Sequence, residues 1–283
     1  MKEIQTKRIN DHCFMPSILL GSYQVNNRDT LNRILVTSIQ TGVYGFDTSP
    51  SYGNLSSFGE ALQYAIDETK IERETLFISG KIDGWQMCRQ NGDVKEYVLQ
   101  SLEQLNIGYY DLLLIHWPFR KYLCSTWNSF EKMYEEGLVK GIGICNVNER
   151  FLREFLPQFR IRPQVVQNEI SPLRTACDEV AFLQSMGIQI QAYSPLCRML
   201  PDVQNSPLLK TLSEKYSKSV AQIILRWHIQ RGIVPIFTSS KSERIKSNVD
   251  IFDFCLEPSE IEDINLLDQN YKIFPESYGC PGF

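Results

Sequence analysis

The chain has no run of roughly 20 apolar residues, the length a helix needs to cross a bilayer, and this excludes helical membrane spans. Its opening, MKEIQTKRIN, lacks the apolar centre of a secretory leader, so a cytoplasmic protein is expected. Basic clusters are missing too. Lys and Arg number 29 against 33 Asp and Glu, the net charge is −4 and the pI is about 5.6. Nucleic acid needs a basic stripe, so no nucleic-acid partner is expected. Histidine is scarce: His12, His116 and His228 stand far apart, and no pair has the spacing of a helical metal site. The eight cysteines, from Cys13 to Cys280, include no CxxC pair. That argues against a zinc or dithiol framework, and reduced thiols with no bound metal are expected. Low-complexity and linker-like segments are absent, so residues 1–283 are expected to form one domain. A glycine-rich phosphate turn is also lacking. "LLGSYQVNN" has one glycine, and "KGIGICN" places Asn146 where GxGxxG would end.

What is present is an alternation. Short, nearly continuous apolar runs occur at "SILLGSY", "GVYGFD", "ETLFISGK", "YYDLLLIH", "LVKGIGICN", "PQVVQNE", "GIQIQAY" and "GIVPIFTS". Such runs suit strands buried on both faces. Amphipathic stretches such as "RDTLNRILVTSIQTG" and "KEYVLQSLEQLN" lie between them, and the glycines of "QTG" and "EEG" fit helix stops. Eight strands, each followed by helix, predict an α/β fold of the closed (β/α)8 TIM-barrel type. Residues 1–16 are expected to form an N-terminal hairpin and 271–283 a C-terminal tail.

The strand interiors are apolar and their ends are not. The runs close on Asp47, Lys81, His116, Asn146, the Gln167–Asn168–Glu169 triplet, Tyr193 with Ser194, and Thr238 with Ser239 and Ser240. In a barrel all these ends open on one rim, where active sites form. Taken singly, each has an ordinary explanation. An Asp after a strand is often a turn residue or helix cap. A terminal Lys is usually solvated, a lone His is usually a bonded core residue, and Cys145 reads as a small buried hydrophobe. Together, an acid, a lysine and a histidine ending three apolar strands are harder to ascribe to accident.

Physical chemistry assigns the set a task. A buried ammonium at Lys81 needs a counter-charge, which Asp47 can supply. A phenol has pKa about 10, and a nearby ammonium stabilises its anion and lowers that value. Tyr52, five residues after Asp47 in "GFDTSPSYGN", becomes a proton donor that Lys81 tunes and Asp47 indirectly holds. His116 can share the hydrogen bonding to a substrate oxygen.

These segments resemble the aldo-keto reductase family, most like its compact bacterial members of the diketogluconate or glyoxal reductase type. "GFDTSPSYGNLSSFGEAL" is similar to the family's Asp/Tyr signature, "GKIDGW" to its lysine strand end and "LLLIHWPF" to its His-Trp-Pro block. The likeness continues through "EEGLVKGIGICNV", "VVQNEISPL", "QAYSPL", "SVAQIILRW" and "SERIKSN", over nearly the whole chain. It implies a catalytic tetrad of Asp47, Tyr52, Lys81 and His116. It also implies a nicotinamide cofactor stretched across the rim, with NADPH expected over NADH.

By the same resemblance, Asn146 and Gln167 would bind the carboxamide, Tyr193 would stack on the nicotinamide ring, and Ser194 and Leu196 would line the pyrophosphate path. Thr238, Ser239, Ser240, Arg244, Ser247 and Asn248 would hold the adenosine end. Cys145 stands before Asn146, where the family often has Ser, and Cys197 replaces a glycine of "YSPLG". The implied reaction is hydride transfer to a carbonyl carbon with Tyr52 protonating the oxygen; a small aldehyde, dicarbonyl or keto-sugar is the expected partner, and the protein is expected to be a monomer. Tyr23, Trp85 and Trp117 are candidates for an aromatic pocket, and the tail either shapes that pocket or hangs loose. Two other functions stay open: a nicotinamide-binding regulatory or redox-sensing protein on the same fold, and a Schiff-base aldolase using Lys81.

Overall fold

The computed structural model describes residues 5–275; the part of the expected tail at 276–283 lies outside the described residues. Among the described residues there are ten strands: β1 Thr6–Arg8, β2 Phe14–Pro16, β3 Leu19–Gly21, β4 Gly45–Asp47, β5 Phe77–Ile82, β6 Leu112–Ile115, β7 Ile142–Cys145, β8 Val165–Glu169, β9 Gln189–Tyr193 and β10 Ile233–Phe237. β3 to β10 form a closed barrel, each parallel to its neighbour, with β10 returning to β3. Each of the eight apolar runs supplies one strand. Around them lie α1 Arg28–Gln40, α2 Leu55–Thr69, α3 Gly84–Arg89, α4 Lys95–Leu105, α5 Leu123–Glu135, α6 Glu149–Phe155, α7 Cys177–Ser185, α8 Pro201–Gln204, α9 Pro207–Tyr216, α10 Val220–Gln230, α11 Ser242–Val249 and α12 Pro258–Asn265. Among the described residues, no helix is long and apolar enough to cross a membrane.

Side-chain alternation along each strand divides the core in two. In β6, Leu112 and Leu114 point into the barrel with Leu19, Phe77, Val165 and Val234. Leu113 and Ile115 point outward and pack beneath the helices. The other end of the cylinder is closed by the antiparallel hairpin of β1 and β2. It delivers Met15, fully buried, into the interior cluster. The glycines expected to stop α1 and α5 adopt left-handed backbone, Gly42 at φ 88° and Gly137 at φ 77°, a conformation that costs an L side chain.

Candidate active site

The rim receives one functional side chain after another. Asp47 is the last residue of β4 and Lys81 the penultimate residue of β5, while His116 directly follows β6. Register aligns them, since Asp47 pairs with Ser79, and Lys81 with Leu114. Tyr52 is presented by a single 3-10 turn, Pro50–Tyr52. Ser49 caps that turn through the Ser51 N–H, Pro50 presets its first position, and Gly53 closes it at φ 70°. Asn54 then pins the loop by donating to the carbonyls of Ser22 and Val25, both at 2.8 Å.

The structure gathers all four residues. Lys81 Nζ forms a short ion pair with Asp47 and lies 3.1 Å from the Tyr52 hydroxyl. Tyr52 in turn reaches Asp47 Oδ1 at 3.4 Å, and its ring meets that of His116 edge-on at 5.9 Å. The Lys81 side chain is wholly buried. Burial alone would lower its pKa; Asp47 and Tyr52 outweigh that and hold the ammonium above its ordinary value. The sequence argument expected Lys81 to lower the Tyr52 pKa, and here the net direction is the opposite. Burial raises it most, the pull of Lys81 comes second, and Asp47 pushes it up again. The physical reason is that the Lys81 charge is already matched by Asp47, so it compensates only part of the cost of desolvating a phenolate. Tyr52 therefore keeps its proton at neutrality.

One member of the site escaped sequence reasoning. Asp83, 4% exposed, bonds His116 Nδ1 at 2.6 Å, and Ser49 Oγ donates to its other oxygen at 3.3 Å. The pair fixes the imidazole and leaves Nε2 without a hydrogen-bond partner among the described residues. Burial opposes the Asp83 charge, yet bonding to His116 prevails and its pKa is lowered. The available signal was an acid between "GK" and "GW" just past a strand. It reads equally well as a helix cap.

Beyond the tetrad the expected residues divide. Gln167 Nε2 donates to Asp47 Oδ2 at 3.1 Å and to Gln191 Oε1 at 2.8 Å, so its amide oxygen is left for another donor. Asn146, at φ 58°, is engaged at both ends: Nδ2 donates to the His116 carbonyl at 2.8 Å, and Tyr193 Oη donates to Oδ1 at 2.7 Å. Cys145 departs from the expected cofactor path. Its side chain is fully buried in the barrel interior with Leu112, Leu114 and Val165, because inward alternation carries it below the rim. Ser194 and Leu196 are half-buried on the loop after β9. Ser239 is taken up by its own turn, bonding the Lys241 backbone at 3.1 and 3.2 Å. Among the described residues, the side chains of Ser194, Thr238, Ser240, Arg244, Ser247 and Asn248 make no hydrogen bond.

Of the three pocket candidates, Tyr23 meets Tyr52 edge-on at 5.1 Å and Trp117 lies 6.2 Å from His116. Trp85 turns outward. It is 46% exposed and packs on Tyr97 at 5.5 Å, with the Arg89 guanidinium 5.1 Å from its ring.

Residues 17–269 match the Aldo/keto reductase family. The chain belongs to that family. It is thus a nicotinamide-dependent oxidoreductase acting on carbonyl compounds. Among its relatives are the "Uncharacterized oxidoreductase YtbE" of Bacillus subtilis, 36% identical over 93% of this chain and 92% of that one. The "Glyoxal reductase" of the same organism is 34% identical over 95% of both chains. Among solved structures, a Bombyx mori aldo-keto reductase, AKR2E4, in complex with NADP superposes with a TM-score of 0.89 at 29% identity, covering 99% of this chain and 100% of that one.

Proposed function

We propose that this protein reduces small aldehydes and dicarbonyls, and keto-sugars of similar reach, to alcohols with NADPH, and that Tyr52 is the proton donor. The observation carrying this reading is the Tyr52 hydroxyl held 3.1 Å from a buried lysine that is itself paired with Asp47. A donor must hold its proton until the oxygen becomes basic, and a buried phenol with a raised pKa does so. Lys81 then stabilises the phenolate that donation leaves behind, without needing to ionise it beforehand. His116, fixed by Asp83, directs Nε2 toward the same oxygen. When bound, NADPH supplies the hydride.

The residues present fit that cofactor. The free Gln167 amide oxygen would accept from its carboxamide, Asn146 would join by exchanging its Tyr193 bond, and Tyr193 offers a ring at the rim. Ser194, Leu196, Thr238, Ser239, Ser240, Ser247 and Asn248 would line its way outward. Arg244, exposed and unpaired among the described residues, would grip a phosphate with its planar fork.

A Schiff-base role for Lys81 is disfavoured, because that chemistry requires a lowered lysine pKa and Asp47 maintains the reverse. The glyoxal reductase relative supports the dicarbonyl class. Tyr52→Phe tests the proposal: kcat with methylglyoxal should fall by roughly 10²–10⁴ while the cofactor affinity, read from fluorescence quenching, changes by less than about twofold. A variant that keeps most of its turnover would remove Tyr52 as the acid. A wild-type protein that quenches cofactor fluorescence without multiple turnovers would instead be a binding protein.

A further inference from the structure

We propose that Gln191 is a positioning residue: by accepting a hydrogen bond from Gln167 it fixes that amide in the one orientation that leaves its oxygen for the nicotinamide carboxamide. The inference rests on the reading of this protein as an NADPH-dependent reductase in which Gln167 meets the cofactor.

Gln191 on β9 and Gln167 on β8 are register partners, so the two side chains leave the sheet on the same face, into the barrel. They are 0% and 2% exposed. Gln167 Nε2 donates both to Asp47 Oδ2 at 3.1 Å and to Gln191 Oε1 at 2.8 Å. The Asp47 carboxylate, paired with Lys81, can only accept. The end of Gln167 that faces it is therefore the NH2 group, and the amide oxygen is turned away. A single bond to Asp47 would let the amide pivot about it. The second bond, to Gln191, fixes its plane.

Stability alone does not account for a glutamine at 191. Its own NH2 group, with two donors, meets among the described residues only Met15 Sδ, at 3.0 Å, and a thioether is a weak acceptor. Met15 belongs to an interior cluster that is otherwise apolar, with Leu19, Val165 and Val234. An amide buried against such a cluster with its donors half used destabilises the fold relative to an aliphatic side chain of similar size. What the glutamine adds is an acceptor oxygen, and among the described residues that oxygen has one partner, Gln167. With an aliphatic side chain at 191, one Gln167 N–H would lose its acceptor and the amide would swing on its Asp47 bond. Its oxygen would then no longer be held still for a carboxamide N–H.

The full chain is titrated, by quenching of its tryptophan fluorescence, with NADP+ and with its 3-acetylpyridine analogue, in which a methyl group replaces the carboxamide NH2. Wild type should bind NADP+ about fivefold more tightly, the difference one hydrogen bond makes. In Gln191→Leu that preference should shrink below about twofold through weaker NADP+ binding, with affinity for the analogue within about twofold of wild type. Gln191→Glu, whose buried acid keeps its proton and an acceptor oxygen opposite Gln167, should retain most of the preference. Three results would overturn the inference: an unchanged preference in Gln191→Leu, weakening of both nucleotides by one factor, or equal loss in the leucine and glutamate variants. Should Gln191→Leu fail to fold, Met15→Leu takes its place, because it removes the anchor of the Gln191 amide. It should narrow the preference by about half, and an unchanged preference there would also overturn the inference. A wild type that binds both nucleotides alike ends the inference and leaves the reductase reading to the Tyr52→Phe result. A wild type that binds neither ends both.

Discussion

His228 sits in α10 with both ring nitrogens against backbone carbonyls, Nδ1 to Ile224 at 2.9 Å and Nε2 to Ile170 at 3.0 Å. Burial lowers its pKa to about 4 from the ordinary 6.5, although the two carbonyls pull the other way. The folded protein thus binds fewer protons at this site than the unfolded chain between those two values. The stability contributed by the neutral ring is complete above pH 6.5 and is lost as pH falls toward 4. Wild type should lose roughly 2 kcal/mol more than His228→Gln when urea unfolding is compared at neutrality and near pH 4.5; equal losses would contradict the assignment. The same balance operates at Tyr52, where burial again exceeds charge pairing. At this scale the sequence disclosed which groups are present, but not which of two opposing forces on each prevails.

Helices α2 and α4 approach each other closely at Gly59. A Cβ there would lie 2.4 Å from the Gln104 carbonyl oxygen and 2.7 Å from the Leu105 Cα. Both are backbone atoms, so neither can rotate aside. Gly59→Ala should destabilise the fold by roughly 1–3 kcal/mol, as overpacking does, with kcat nearly unchanged because these helices lie behind the barrel wall. An unchanged urea midpoint would mean that the helices separate at little cost. The elements themselves were legible, since their apolar periodicity is a local property of the chain. Asp83 was not, because its partner is 33 residues away and only the β5–β6 register, Lys81 with Leu114 and Ile82 with Ile115, sets the two side by side.

Across the whole molecule, a line of polar contacts threads the barrel from floor to rim. Met15 Sδ accepts from Gln191 Nε2 at 3.0 Å, Gln191 Oε1 accepts from Gln167, and Gln167 donates to Asp47. The N-terminal hairpin therefore closes one end and is linked through this line to Asp47 at the other. Met15→Ala should cost roughly 2–5 kcal/mol by leaving a cavity under the interior cluster, measured as a lower urea midpoint; a midpoint equal to wild type would show that the floor repacks. The sequence by itself determined the eight apolar strands and the polar residues that end them, because a parallel barrel buries every strand on both faces and turns all their C-terminal ends to one rim. That Asp47, Lys81 and His116 would meet at that rim was readable for the same reason. Only the tertiary structure decided that Asp83 bonds His116, that Cys145 points into the barrel interior, that Trp85 faces outward and that Glu169 accepts the Phe274 amide. Each of those depends on register, inward or outward alternation and burial, which exist only once distant segments of the chain are packed together.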